Sequence, residues 1–426
     1  MSHLKSPTWL MFFVGLLLCL ISCLPQEDKK WEGQGPIQVV PTETVPIQPQ
    51  WRGTFDLGEG LYASNDFAGA RLNGLVFADD TLRALITPEN TPINPSPWYA
   101  FQLWSETKRQ VPLKLTYLDG YHHRYYPKLS VDREQWQPLD SSRYHPGPVD
   151  QGGDGQALPA YVVMDLTLGP DTLWVAAQEL KTSADNAAWA GGLAQRPYVQ
   201  LDTVGYSRQG RALPLLKIGT SDDQRMIFVL SRQHPPEVTG YLAMQAFVEA
   251  IAGESDLAAR FRAQYNTYVV PMANPDGVDN GHWRHSAAGI DLNRDWRFVN
   301  QPEIAAIQAF MRAQAQRSGG KFYFAVDFHS TWQDIYYLNG LEQEGHAPGL
   351  VPAMIEQMAQ AIPGLDPNVR PGPADSTYST SSKYFYLEFN AEALTYEIGD
   401  NTPRDLLKRK GEVSAQKLME LLLGNS

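Results

Sequence analysis

Apolar positions follow two different rhythms along the chain. From about residue 51 to residue 180, short apolar runs alternate with polar positions and are broken by Gly, Pro and Asp. Alternation with a period of two is typical of strands that bury one face, and no stretch here has helical spacing. Residues 51–182 are therefore predicted to form a small antiparallel β-sandwich. The clearest predicted strands are 98–104, 111–118 and 161–168, and residues 145–156 are predicted to be a loop.

The second rhythm begins near residue 183. Apolar runs that suit fully buried strands alternate with stretches of helical spacing, and Pro302 and Glu303 stand where the start of a helix favours them. This alternation is typical of a mainly parallel sheet with helices on both faces, which places ligands at the carboxyl ends of its strands. Residues 183–426 are therefore predicted to be an α/β domain. The predicted strands are 211–219, 226–232, 267–273 and 322–329, and the predicted helices are 239–253 and 301–316.

The first residues have the features of an export signal. Lys5 supplies positive charge, and residues 9–21 form an apolar run of 13, which is too short for a permanent transmembrane helix. The run ends in Leu20-Ile21-Ser22-Cys23, which resembles the lipobox of bacterial lipoproteins, where the Cys is acylated after cleavage. We expect residues 1–22 to be a lipoprotein signal peptide. Residues 23–50, rich in Pro, Gln and charge, are expected to be a tether.

The residue after Cys23 bears on localisation. It is Leu24 in place of the Asp that marks retention in the inner membrane, so the resemblance implies an exported protein anchored in the outer membrane and facing the periplasm. An ordinary signal peptide that happens to contain Cys23, or an uncleaved anchor, is the alternative.

Net charge and cysteine content limit which ligands and metal-binding residues the protein can use. Lys and Arg total 35 against 47 Asp and Glu, a net charge of −12, which argues against a general nucleic-acid-binding protein because such proteins need a basic face. Cys19 and Cys23 are the only two cysteines, so the exported body has no disulfide, cysteine nucleophile or thiolate ligand. Any metal site must therefore use His and carboxylate ligands.

Two histidines stand where predicted strands end. His234 follows one strand, with Glu237 three residues later and just before a predicted helix, and His329 ends another strand. Two His and one Glu leave the fourth position of a tetrahedral zinc open for water. A single H-x-x-E is short and frequent, so alone it more often marks an ordinary buried or surface histidine.

Further motifs decide how these residues are interpreted. Residues 274–277 read NPDG, Arg284 follows, residues 291–296 read DLNRDW, and residues 395–400 read TYEIGD. In this order they resemble the M14 family of zinc carboxypeptidases, over about 240 residues from near Asp185 to the C-terminus. The sequence around Arg284 is similar to that of the cytosolic-carboxypeptidase branch, whose members also carry a β-sandwich before the catalytic domain.

The resemblance implies a role for each matching residue. His234, Glu237 and His329 would bind one Zn²⁺ per chain, and Asp291 would fix the orientation of a ligand histidine. Arg284 would stabilise the oxyanion.

The remaining positions concern the base and the substrate. Glu397 would be the general base, and Asn293 and Arg294 would bind the terminal carboxylate of the substrate. Tyr378, which lies 19 residues before Glu397, matches a mobile tyrosine of the digestive members only weakly. Lys383 lies in a stretch that lines the side-chain pocket of relatives and would favour an acidic residue; a solvated surface lysine is the alternative.

Three functions are compatible with these residues. The first is an exopeptidase that removes the last residue of a peptide with a free carboxylate. The second keeps the chemistry but acts on muropeptides, which are peptidoglycan stem peptides, or on N-acyl amino acids. The third is a catalytically idle binding lipoprotein, against which the intact Glu397 and Arg284 argue. His282, His285 and the pair His122-His123 are not expected to be ligands; the pair is expected to lie in a polar loop.

Overall fold

A computed structural model describes residues 33–151, 157–222, 224–340, 345–372 and 379–424. The predicted signal peptide, Cys23 and Tyr378 lie outside these residues. Within the described parts of the chain, no helix is both long enough and apolar enough to cross a membrane.

The first region of the chain is a β-sandwich, as predicted. A six-stranded sheet in the order β1-β2-β5-β13-β7-β8 faces a five-stranded sheet in the order β3-β4-β6-β12-β9, and β10 and β11 form a separate pair. Alternate residues point into the shared core, as in β4, where Leu82, Ala84 and Ile86 are fully buried. All pairs are antiparallel except β4 with β6, which is parallel. The strands are Thr54–Asp56, Leu61–Ser64, Gly74–Ala78, Thr81–Ile86, Ala100–Ser105, Arg109–Tyr117, Lys128–Ser130, Gln137–Pro138, Tyr144–Pro146, Val149–Gln151, Ala157–Pro159, Val162–Leu168 and Leu173–Ala176, numbered β1 to β13.

The loop predicted for residues 145–156 is partly wrong. Its first residues belong to β9, which pairs with the first three residues of β12, and Val149–Gln151 pairs with Ala157–Pro159. Pro146 is tolerated because β9 is an edge strand, which needs donors on one side only, and Pro148 lies between β9 and β10.

The second region is built on an eight-stranded mixed sheet, and this confirms the predicted α/β class. The strand order is β14-β15-β17-β16-β18-β21-β19-β20, and the four central strands from β17 to β21 run parallel. The strands are Val199–Tyr206, Ala212–Ile218, Arg225–Ser231, Asn266–Val270, Lys321–Thr331, Ile335–Leu338, Val369–Pro371 and Glu392–Gly399, numbered β14 to β21. The helices are Ser183–Leu193, Val238–Ile251, Asp256–Arg262, Pro275–Asn280, Pro302–Ser318, Leu350–Ala361, Ser381–Phe389 and Arg404–Gly424, numbered α1 to α8.

Helices cover both faces of this sheet. On one face Phe228 of β16 packs against Phe385 of α7, with ring centroids 5.5 Å apart. On the other face Phe328 of β18 packs against Phe247 of α2, also at 5.5 Å. The long apolar runs of the sequence are therefore strands buried on both faces.

Residues 33–50 differ from the tether predicted for residues 23–50. Thr42 is only 1% exposed, and its hydroxyl donates to Asp295 at 2.5 Å. The backbone N–H of Val45 donates to the carbonyl of Ala288 at 2.9 Å, and that of Gln48 to the carbonyl of Glu89 at 2.7 Å. The polar composition that suggested a tether instead supplies hydrogen bonds that hold this segment along the folded body.

The two halves of the chain share a core. Val238 and Trp283, from the second half, belong to the same buried cluster as the sandwich residues. The predicted boundary falls at Thr182, whose side chain and that of Asp185 form a capping box at the start of α1.

Candidate active site

Three side chains converge at the carboxyl end of the central strands. His234 lies in the turn after β16, Glu237 immediately precedes α2, and His329 is the third residue from the end of β18. The Nδ1 atoms of the two imidazoles are 3.2 Å apart. Glu237 places Oε1 2.7 Å from Nδ1 of His234 and Oε2 2.8 Å from Nδ1 of His329. All three side chains are buried, and the atoms that could bind a metal face one another.

This arrangement fits one zinc ion. Two nitrogens that each lie about 2.0–2.1 Å from a tetrahedral zinc are roughly 3.3 Å apart, close to the separation of the two Nδ1 atoms. One ligand atom from each of the three residues lies within 4.8 Å of the others, and no second group of this kind occurs among the described residues. The donor set of two imidazoles and one carboxylate is one that zinc accepts, and it leaves a fourth position for water or substrate.

Each ligand imidazole is held by a carboxylate on its other nitrogen. Nε2 of His234 lies 2.9 Å from Asp291 Oδ1, and Nε2 of His329 lies 2.7 Å from Asp327 Oδ2. A carboxylate at Nε2 fixes the proton there and leaves the Nδ1 lone pair for the metal. Asp291 was predicted for this role from the sequence. Asp327 was not, although a strand with a period of two places it on the same face as His329.

Arg284 contacts Asp291, the carboxylate that also holds His234. Its Nε donates to Asp291 Oδ2 at 2.7 Å, and the side chain lines the cavity that contains the candidate ligands. Burial lowers the pKa of Arg284, but the neighbouring Asp291 more than offsets this and the pKa is raised. Arg284 is therefore a fixed positive charge beside His234, Glu237 and His329, which are called the metal group below.

The backbone that carries Arg284 is held by a residue from the sandwich. The carboxylate of Glu89 accepts three consecutive backbone N–H groups, those of Trp283 at 2.7 Å, Arg284 at 3.0 Å and His285 at 2.7 Å. Glu89 is fully buried, and Arg71 lies 3.5 Å away. Sequence analysis missed Glu89, because an acidic residue far away in another half of the chain has no local pattern.

Glu397 lies beside His329 in register. The two residues are paired on the parallel strands β21 and β18, and both side chains point to the same face of the sheet. Burial raises the pKa of Glu397 to about 7, although His329 lowers it. Its Oε2 is enclosed and has no hydrogen-bond partner among the described residues. An enclosed carboxylate oxygen next to a metal group is a suitable acceptor for the proton of a water molecule.

The predicted carboxylate-binding pair lies on a short turn of 3-10 helix that follows Asp291. Asn293 and Arg294 both line a cavity of 340 Å³ that also contains the candidate ligands and Glu397. Asn293 Oδ1 accepts the backbone N–H of Ser381 at 2.9 Å, and Arg294 donates to the carbonyl of Asn293 at 2.9 Å.

Lys383 lines the same cavity. It lies in α7 and is only 8% exposed, so the alternative of a solvated surface lysine does not hold. His282 and His285 are buried behind Arg284, where His285 contacts Asn90 at 2.6 Å and not the metal group. His123 was expected in a polar loop but is buried, and burial lowers its pKa to about 3.

Comparison with known families identifies the second half of the chain. Residues 187–362 match the family model of peptidase M14, zinc carboxypeptidase. Residues 187–362 carry an M14 zinc carboxypeptidase domain. The His234, Glu237 and His329 group fits the single zinc site of that family.

Curated relatives of the carboxypeptidase domain include cytosolic carboxypeptidases. The chain is 30% identical over 152 residues to cytosolic carboxypeptidase 6 of Caenorhabditis elegans, which is 33% of this chain and 33% of that protein. It is 28% identical over 159 residues to cytosolic carboxypeptidase 6 of Homo sapiens, which is 34% of this chain and 32% of that protein. The matches thus span about a third of the length of these relatives.

Solved structures share the fold over a greater length. A metallo-carboxypeptidase from Burkholderia cenocepacia superposes with a TM-score of 0.69 at 20% identity, covering 86% of this chain and 100% of that chain. A metallo-carboxypeptidase from Pseudomonas aeruginosa in complex with (2-guanidinoethylmercapto)succinic acid has a TM-score of 0.66 at 21% identity, covering 84% and 98%. The fold of the β-rich region therefore occurs together with the fold of the second region in these two solved structures.

Proposed function

We propose that the protein is a zinc metallocarboxypeptidase that hydrolyses the last amide bond of a peptide. One observation carries this proposal. Asn293 and Arg294, which can bind a terminal carboxylate, line the same cavity as the metal group and Glu397. A cationic anchor next to hydrolytic groups selects the amide bond nearest the free carboxylate.

The residues around the metal group have complementary tasks in this reaction. Zinc held by His234, Glu237 and His329 would polarise the scissile carbonyl and acidify a water molecule. Glu397 accepts a proton from the attacking water and returns it to the nitrogen of the leaving amine. Its raised pKa suits both steps, because a carboxylate that titrates near neutral pH can take up a proton and release it again.

Arg284 and Arg294 would stabilise different negative charges of the substrate. Arg284, held by Asp291, would face the oxygen that becomes negative when water adds to the carbonyl. Arg294 would bind the terminal carboxylate, for which a planar guanidinium is suited because it can bond both oxygens.

Lys383 supports a preference for an acidic last residue. It is buried in the cavity wall, where its charge would attract the carboxylate of a side chain more strongly than on the open surface. Tyr378 stays a prediction from the sequence.

The central experiment measures zinc content and hydrolysis together. Wild-type protein should contain one zinc per chain and release the last residue from blocked peptides, preferring Asp or Glu. Glu397→Gln should keep zinc and lose at least about a hundredfold in kcat, the typical contribution of general acid–base catalysis. His329→Ala should lose both zinc and turnover.

A wider substrate panel separates the alternatives. Purified muropeptides and N-acyl amino acids should be included beside the peptides, with products identified by mass spectrometry. Turnover of muropeptides alone would replace the peptidase proposal with the amidase alternative. Stoichiometric zinc without turnover of any substrate would favour the idle binding protein.

For localisation, we propose that the protein is an outer-membrane lipoprotein acylated at Cys23. The support is the apolar run followed by Leu20-Ile21-Ser22-Cys23. Labelled fatty acid should be incorporated into the wild type and not into Cys23→Ser, with Cys19→Ser as the matched control. Equal labelling of wild type and Cys23→Ser would contradict the proposal.

A further inference from the structure

The cavity of the carboxypeptidase domain has a wall that the domain does not supply. Most of its lining residues come from the second half of the chain, but Asn94, Ser96 and Arg124 come from the β-sandwich, and Gln34 and Ile37 come from the segment before it. Arg124 is the charged member of this group, and its side chain is only 7% exposed. A buried arginine in a substrate cavity needs partners for its N–H groups.

Arg124 is held rigidly on several sides. Its Nε donates to Asp400 Oδ2 at 2.8 Å, and its Nη1 donates to the hydroxyl of Ser96 at 3.0 Å. The guanidinium lies over the ring of Trp332, 4.5 Å from its centroid. Asp400 follows the base Glu397 by three residues, and Trp332 follows the ligand His329 by three residues. The orientation of Arg124 is therefore tied to both strands of the site.

The hydrogen-bonding capacity of Arg124 is not exhausted. A guanidinium carries five N–H groups. Its second terminal nitrogen, Nη2, is enclosed and has no hydrogen-bond partner among the described residues. A buried N–H group without an acceptor destabilises the structure, so an acceptor from a bound molecule would satisfy it.

The position of Arg124 indicates which part of a substrate would supply that acceptor. Asn293, Arg294 and Lys383 account for the leaving residue, and Glu397 accounts for the attacking water. The sandwich wall is left for the part of the substrate on the N-terminal side of the scissile bond. The first acceptor on that side is the next peptide carbonyl upstream of the scissile carbonyl.

We infer that Arg124 donates a hydrogen bond to this upstream carbonyl, so that the β-sandwich forms the acyl-side wall of the active site. The inference rests on the proposed carboxypeptidase function. A rigid, preorganised donor would favour substrates with at least one further peptide group over simple acyl amino acids. A merely structural Arg124–Asp400 ion pair would not discriminate between such substrates.

The test uses two substrates of equal charge that differ only in the peptide group upstream of the scissile bond. Acetylglycyl-X and pentanoyl-X have acyl chains of equal length and the same terminal residue X, chosen as the one that the enzyme prefers. Only acetylglycyl-X has an upstream peptide group. Wild-type kcat/KM should favour acetylglycyl-X by roughly tenfold or more, as expected for one hydrogen bond to a charged donor.

The variant Arg124→Lys isolates the contact. Lysine keeps a positive charge for Asp400 but lacks the forked guanidinium. The preference should fall towards one, mainly through KM for acetylglycyl-X, while zinc content and Tm change little. Arg83→Lys is the control, because Arg83 is a half-exposed sandwich arginine paired with Asp79; it should keep the wild-type preference.

The outcomes are distinguishable. Equal kcat/KM for the two substrates in the wild type would overturn the inference even if Arg124→Lys failed to fold. A preference that survives in Arg124→Lys would also overturn it. If the wild type hydrolysed neither substrate, the proposed carboxypeptidase function itself would be rejected.

Discussion

Glu397 and the two ligand histidines depend on contacts that differ in kind. The imidazoles are oriented by carboxylates at Nε2, whereas the free oxygen of Glu397 is enclosed without a partner among the described residues. Hydrogen bonds fix the orientation of the candidate ligands, whereas burial raises the pKa of the proposed base. Substitutions at the two kinds of position should therefore fail in different ways.

The base makes a prediction about pH. In the proposed reaction Glu397 can accept a proton only when it is ionised, so kcat/KM should fall as the pH drops below the pKa of this group. Burial raises that pKa to about 7, and the positive charge of bound zinc would move it down again. We expect an acidic limb in the profile of kcat/KM at or below about pH 7. A limb clearly above pH 7 that persists in Glu397→Asp would count against this assignment.

Asp327 makes a prediction about metal affinity. Asp327→Asn should weaken zinc binding by about 10–100-fold, because the imidazole of His329 loses the carboxylate that fixes its proton. Competition with a chromophoric chelator measures this without any turnover. Asp171→Asn, which changes an exposed residue of the sandwich, should leave zinc affinity unchanged. Equal affinities for wild type and Asp327→Asn would show that Asp327 does not orient the ligand.

At the scale of elements, the metal group depends on the close approach of α2 to β18. Gly240, in the first turn of α2, lies so close to β18 that an added Cβ would overlap the carbonyl oxygen of His329. The hydroxyl of Ser330 accepts the backbone N–H of Gly240 at 2.8 Å and the hydroxyl of Thr239, also at 2.8 Å. This contact sets the distance between Glu237, which precedes the helix, and His329, which lies in the strand.

Replacing Gly240 should therefore separate the two elements. Gly240→Ala is expected to lower the free energy of unfolding by about 1–3 kcal/mol and to weaken zinc binding, because the helix must shift away from the strand. Gly191→Ala in α1 is the matched control. A Cβ there meets no atom, so this substitution should be neutral or stabilise by up to about 1 kcal/mol. Thermal unfolding and zinc titration of both variants test the comparison.

Sequence patterns predicted elements better than the contacts between them. The strand predicted at 226–232 is Arg225–Ser231, and the helix predicted at 239–253 is Val238–Ile251, because long buried apolar runs and helical spacing are strong local patterns. Residues 33–50 were predicted as a tether because Pro and polar residues also suit an extended segment that is bound by hydrogen bonds.

In the candidate site, too, the sequence predicted residues within local motifs better than contacts between distant segments. The three candidate ligands, Asp291 and Glu397 were predicted from family motifs, and these motifs are local in the sequence. Glu89 and Arg124 act on the site from the sandwich, so only the folded chain brings them near it. Asp327 is an intermediate case, because its spacing from His329 could have indicated its role.

On the scale of the whole molecule, the hydrogen bonds from the Arg284 backbone to Glu89 make the candidate active site depend on the β-sandwich. Glu89→Gln should lower the free energy of unfolding by about 3–5 kcal/mol, because the buried Arg71 loses its charge partner and one oxygen that accepts backbone N–H groups becomes a donor. The kcat of the folded fraction should fall as well, since the backbone of Arg284 is displaced. Glu134→Gln, at an exposed position, is the control; similar Tm and kcat for both variants would contradict this role.

The same contact limits how the two halves can be inherited or recombined. The carboxylate that shapes the Arg284 loop is encoded 195 residues upstream of Arg284, so a gene fragment beginning at the carboxypeptidase domain would lack it. A chimera with a foreign sandwich would need an acidic side chain at the same point, facing the same three amides. The sandwich and the carboxypeptidase domain should therefore diverge as a matched pair, and neither should serve as an independent module.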